Sequence, residues 1–95
     1  MGAPYLAPRT GSIGTEKSIH TPAYRRLIAL LVKAREEADL SQRDLAAKLD
    51  CHPSWVAKVE TRERRLDVVE LVRLARALRL DPAAVVAEVA RHVRR

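Results

Sequence analysis

Beyond residue 14 the chain has no glycine: Gly2, Gly11 and Gly14 are all it contains. Phenylalanine is absent, and one Trp and two Tyr bring the aromatic content to only 3% of 95 residues. Cys51 is the single cysteine, which excludes an internal disulfide and any cluster of cysteine ligands. It reads as a small buried apolar residue rather than a redox switch. His20, His52 and His92 are too scattered for a zinc signature. No apolar run approaches the roughly 18 residues that a bilayer crossing requires. The start of the chain lacks the charged-then-apolar layout of a secretory signal, so the expected location is the cytoplasm. With no phosphate-cradling glycine loop, no nucleophile–base pairing and no metal-ligand grouping, the sequence predicts neither an enzyme nor a bound cofactor or metal.

What the chain does have is leucine, valine and alanine within a 47% hydrophobic composition, and of these Leu and Ala favour helix. The absence of alternating β-branched runs argues against a sheet. Charged residues make up 32% of the chain, with a formal net charge of +6. A small basic domain suits nucleic acid or an anionic membrane surface. The membrane role needs a large exposed apolar face beside the basic one, and the apolar residues of the last two helices are expected to go into packing.

The glycines and three of the five prolines fall within the first 22 residues, so residues 1–20 read as a flexible N-terminal arm. Residues 21–81 read as a helical domain and 82–95 as a C-terminal helix offering a dimer seam. Thr21 caps the first helix with Pro22 at its first position, and Leu27, Leu30, Leu31, Ala34 and Ala38 recur at helical spacing. Ser41 caps a second helix, with Asp44 three residues on as in a capping box and Leu45, Ala46 and Leu49 inward. Pro53 opens a third, with Val56 and Val59 inward. Asp67 and Glu70 form a second capping box, with Leu66 and Leu71 spaced as a hydrophobic staple. Asp81-Pro82 starts a fifth helix, in which Val85, Val86, Val89 and Val93 are expected to line one face. Arg91, Arg94 and Arg95 complement the dipole at its end.

The informative stretch is SQRDLAAKLDCHPSWVAKVE, residues 41–60. Two helices of about eight residues are too short to stand alone in water, so they must pack on one another, and small Ala46 permits a close approach. The second of them, held proud of the frame, fits a major groove about 12 Å wide. SQRDLAAKL, SWVAKVE and RRLDVVELVRLARAL occur in an order and spacing that resembles the phage-repressor/Cro-like helix-turn-helix family, also called the XRE family, over about Leu27 to Pro82. The resemblance implies an all-α, five-helix repressor-like DNA-binding domain.

Carried over by position, it implies that Pro53, Ser54, Ala57 and Lys58 face the bases. Lys58 would donate to guanine and Ser54 would hydrogen-bond a base edge. Trp55 lies among these positions, either touching DNA or covering the junction between helices. Gln42, Arg43 and Arg62 are implied phosphate contacts, with Arg64, Arg65 and His52 as further candidates. Arg35 and Glu60 match positions of a partly buried ion pair that fixes the angle of the recognition helix. The family often has glycine where this chain has Asp50 and Arg62. Asp tolerates the left-handed conformation better than most residues and Arg less well, which leaves the shape of the 61–65 loop open. The expected function is a sequence-specific DNA-binding transcriptional regulator, a repressor or autoregulator, working on double-stranded DNA as a homodimer. The alternative is an antitoxin or phage-type regulator whose main role is gripping a partner protein.

Overall fold

The computed structural model describes residues 19–93. Most of the expected N-terminal arm (residues 1–18), together with Arg94 and Arg95, lies outside the described residues. Five helices follow one another: α1 (Pro22–Glu37), α2 (Gln42–Leu49), α3 (Pro53–Glu60), α4 (Val68–Ala77) and α5 (Pro82–Ala90). Among the described residues there is no strand.

Each helix begins with a side chain that accepts from its own first turn. The Thr21 hydroxyl accepts from the Tyr24 N–H, and the His52 ring and the Asp81 carboxylate accept from Ser54 and Ala83. Ser41–Asp44 and Asp67–Glu70 are complete capping boxes, each side chain accepting from the other residue's backbone N–H. These contacts satisfy donors that a helix start leaves unpaired.

The ends of α1 to α4 are as uniform as the starts, and they use no glycine. Asp39, Asp50, Arg62 and Arg79 all take left-handed φ values, between 57° and 64°. At each of these turns the following N–H reaches five residues back: Leu40 to Arg35, Cys51 to Ala46, Glu63 to Lys58 and Leu80 to Ala75, at 2.8–3.1 Å. This is the Schellman closure, which glycine usually makes because a Cβ in that conformation costs roughly 1–2 kcal/mol. Both family glycine positions in question, Asp50 and Arg62, thus keep the left-handed turn without the residue.

Leu27, Ile28 and Leu31 from α1, Leu45, Ala46 and Leu49 from α2, Val56 and Val59 from α3, Leu74, Ala75 and Leu78 near α4, and Val85 from α5 form one core. The α2–α3 pair packs against α1 and α4, and α5 closes the far side against α1 and α4. The Tyr24 hydroxyl accepts from the Leu66 N–H at 3.1 Å, which joins the start of α1 to the entry of α4.

The expected single valine face of α5 is corrected. Val85 is buried and Val89 half-buried, whereas Val86 is 52% and Val93 59% exposed. At 100° per residue Val86 points about a quarter-turn round from Val85, and Val93 lies beyond the end of α5. The apolar residues of α5 are therefore not all taken up by packing. Ala83, Ala87 and Ala90 are exposed as well, and Arg91, with 78% of its side chain exposed, follows directly after the helix.

Candidate nucleic-acid interface

The α2–α3 corner is set by Ala46, almost wholly buried where the second helix approaches, and by the left-handed Asp50 that turns the chain. His52 then starts α3. Its Nδ1 accepts from the Ser54 N–H at 3.0 Å and lies 2.9 Å from the Ser54 hydroxyl. A neutral imidazole accepting at Nδ1 carries its hydrogen on Nε2, leaving a donor at the mouth of the helix. With Val56 and Val59 buried, α3 turns Ser54 and Lys58 fully outward, and Pro53 and Ala57 are half-exposed. Ser54, Ala57 and Lys58 are spaced i, i+3, i+4 and so share one helix face.

The far end of α3 is pinned by a polar network. Arg35 on α1 donates from Nε to Glu60 Oε2 at 2.6 Å and from Nη2 to Oε1 at 3.1 Å. A third donor, Nη1, reaches the Leu40 carbonyl at 2.7 Å. The side chains of Arg35 and Glu60 are only 12% and 13% exposed. The hydrogen bonds to Glu60 hold the Arg35 pKa above its ordinary value against the opposing effect of burial. Gln42, placed by sequence among the phosphate contacts, donates from Nε2 to Glu60 Oε1 at 2.8 Å. One carboxylate therefore joins α1, the start of α2 and the end of α3. A second tie runs from Arg73 on α4 to the Leu49 carbonyl at the end of α2, at 3.2 Å.

The loop after α3 brings further cations alongside. In that loop Arg65 is exposed and Arg62 half-buried, and on α2 Arg43 is exposed. Arg64 is already engaged within the chain: its Nη2 donates to Glu70 Oε2 at 2.6 Å, and its guanidinium lies 5.6 Å from the centroid of the Trp55 ring. Trp55 itself is half-buried and packs against the core. The structure thus groups Ser54, Ala57 and Lys58 on one face of α3, with His52 at its start, while Gln42 and Trp55 make internal contacts.

A helix-turn-helix domain model matches residues 26–89. That span takes in both helices of the corner and the elements that clamp them. The chain belongs to the XRE-type helix-turn-helix family. A solved structure described as an XRE-family like protein from Pseudomonas syringae pv. tomato str. DC3000 is similar to it, with a TM-score of 0.74 and 38% sequence identity over 84% of this chain and 98% of that one. No curated protein matches the chain. As an XRE-type protein it is a DNA-binding regulator with an all-α fold. Among the described residues, no helix is long and apolar enough to cross a membrane. Among the described residues, no three His, Cys, Asp or Glu side chains are grouped to hold a metal ion.

Two contributors to the XRE frame escaped the sequence reading. Gln42 as a partner of Glu60 had no signal, because the two lie 18 residues apart on different helices. Glu70 was legible as a capping residue, but its second bond, to Arg64, depends on how the 61–65 loop folds back.

Proposed function

We propose that this XRE-family chain is a sequence-specific transcriptional regulator, a repressor or autoregulator, that reads the major groove with α3 as a cytoplasmic homodimer. The observation that carries this reading is the exposed Ser54–Ala57–Lys58 face on a helix whose far end is pinned by Arg35, Glu60 and Gln42. A rod held at both ends presents side chains to base edges without first having to be ordered. Lys58 donates to guanine, Ser54 bonds a base edge, and Ala57 and Pro53 approach thymine methyls or leave room for them. Trp55 borders this face and adds its ring edge. Arg43, Arg62, Arg64, Arg65, the His52 Nε2–H and the second amide hydrogen of Gln42 meet phosphates and set the register.

One such domain reads only a few base pairs, and two of them related by a twofold axis read half-sites about 34 Å apart. Val86, exposed on α5, and Val93, exposed just beyond its end, support that seam. A second reading, an antitoxin-type regulator gripping a partner protein, draws on Val68 and Val69, which are exposed at the start of α4. Co-purification of a stoichiometric partner through that pair would favour it.

Selection of bound sequences from a random duplex pool tests the main reading. The expected winner is palindromic with half-sites one helical turn apart. A pool that shows no enrichment in dilute salt would overturn the assignment.

A further inference from the structure

Arg64 is fixed at both ends. Its backbone N–H donates to the carbonyl of Lys58 at 3.1 Å, and the N–H of Glu63 donates to that same carbonyl at 2.9 Å. The loop is thereby tied to the last turn of the recognition helix. The side chain then folds back along α3 to lie over Trp55, with Nη2 on Glu70. Glu70 is itself immobilised: its Oε1 accepts from the Asp67 N–H at 2.9 Å, and its own N–H donates to Asp67. It also sits in the first turn of α4, where the helix dipole favours a negative charge. Despite these restraints the Arg64 side chain remains 43% exposed, and a guanidinium has five N–H donors, of which Glu70 takes one.

We infer that Glu70 is a positioning residue for DNA binding: it holds Arg64 against Trp55, at the flank of α3, as a pre-oriented phosphate donor. The inference rests on the DNA-binding reading above and adds an acid to its machinery. An unrestrained arginine loses side-chain rotamer freedom when it is ordered. The Trp55 ring and the Glu70 carboxylate remove most of that loss in advance. Charge counting alone gives the opposite expectation, because removing an acid near a phosphate should tighten DNA binding. The two accounts therefore differ in sign.

The test uses the full chain and the duplex that it selects, with Glu70→Gln, Arg64→Gln and the double variant. Glutamine can serve in the capping box as glutamate does, so the start of α4 is kept while the ion pair is removed. Arg64→Gln is expected to weaken binding about tenfold and to lower the salt slope by about one. Glu70→Gln should weaken binding roughly threefold to tenfold with a smaller salt slope, and it should have no further effect in the Arg64→Gln background. Trp55 is the sole tryptophan, so its emission reads the stack in free protein, and quenching by acrylamide should rise in both single variants. Tighter binding by Glu70→Gln, additive losses in the double variant, or unchanged quenching would each overturn the inference. Raised quenching in a protein that binds no duplex would remove the DNA-binding reading, and with it the phosphate role, while leaving the Arg64–Glu70–Trp55 contact established.

Discussion

Two arginine–glutamate contacts tie α1 to the rest of the molecule, and they differ in nearly everything except chemistry. Arg35–Glu60 is bidentate, about one-eighth exposed, and carries Gln42 and the Leu40 carbonyl with it. Arg26–Glu88 joins α1 to α5 through one contact at 3.0 Å, with Arg26 half exposed, and the same carboxylate is shared with Arg91 and His92. The first lies at the end of the recognition helix and the second at the outer end of the bundle. Water screens an exposed pair until it contributes little, whereas a shielded pair cannot lose one member without stranding the other. The chain has placed its unforgiving contact where an angle must be held, and its tolerant one where α5 only has to dock.

The largest break in this contrast is Glu60→Gln. It leaves Arg35 without its counter-charge, and we expect a loss of about 2–3 kcal/mol, below the 3–5 kcal/mol of a fully buried pair because some exposure remains. Urea unfolding reads it, and a loss under 1 kcal/mol would place the pair in the surface class. DNA binding gives the next effect. Lys58→Ala should cost about 1–3 kcal/mol on the selected duplex and relax preference at one base step. An equal loss on random duplex would move Lys58 from base to phosphate. Arg62→Gly, two residues beyond Glu60, should stabilise the chain by about 1 kcal/mol, because glycine takes the left-handed turn without the Cβ penalty, partly offset by a freer unfolded chain. An unchanged urea midpoint would count against strain at that turn.

At the α5 end, Arg26→Met should shift the melting temperature little in dilute salt and not at all in 1 M salt, where charges are screened within about 3 Å. Acid sharpens the comparison further. Hydrogen bonds from His92 and Arg26 hold the Glu88 carboxyl below its ordinary value of 4.5, and those from Ser41 hold Asp44 below 3.8. A depressed folded pKa means stability that is complete above the ordinary value and lost as pH falls through the folded one. Melting temperatures taken from pH 5 down to pH 2.5 should fall less steeply in Glu88→Gln than in the parent. An identical slope would show that the contact does not persist in solution.

The helix starts were legible in the sequence because capping is local: Thr21, Ser41, Asp67 and Asp81 sit within three residues of the N–H groups they receive. The inward residues of α2 and α3 were legible for a related reason, since polar neighbours outline their apolar stripe. In α1 the spacing found Leu27 and Leu31 but missed buried Ala23 and Ile28 and took in Ala38, which is exposed. In α5 the same method failed. PAAVVAEVA has one charged residue in nine, so nothing in its pattern separates the side that meets Leu74 and Leu78 from the side that meets water. The frame around α3 was legible only through the XRE resemblance, which pointed to Arg35 and Glu60. The partnership of Arg64 with Glu70 and Trp55, and that of Gln42 with Glu60, come from tertiary juxtaposition that no spacing rule encodes.

The glycine-free helix ends have a consequence for how the molecule comes apart. Glycine takes the left-handed turn with no Cβ penalty, so the residue itself favours the stop. Asp39, Asp50, Arg62 and Arg79 carry no such instruction, and their turns hold only while the surrounding helices press them into place. Excised segments spanning these corners should lose the bends, and the intact chain should melt as one unit instead of shedding helices one at a time.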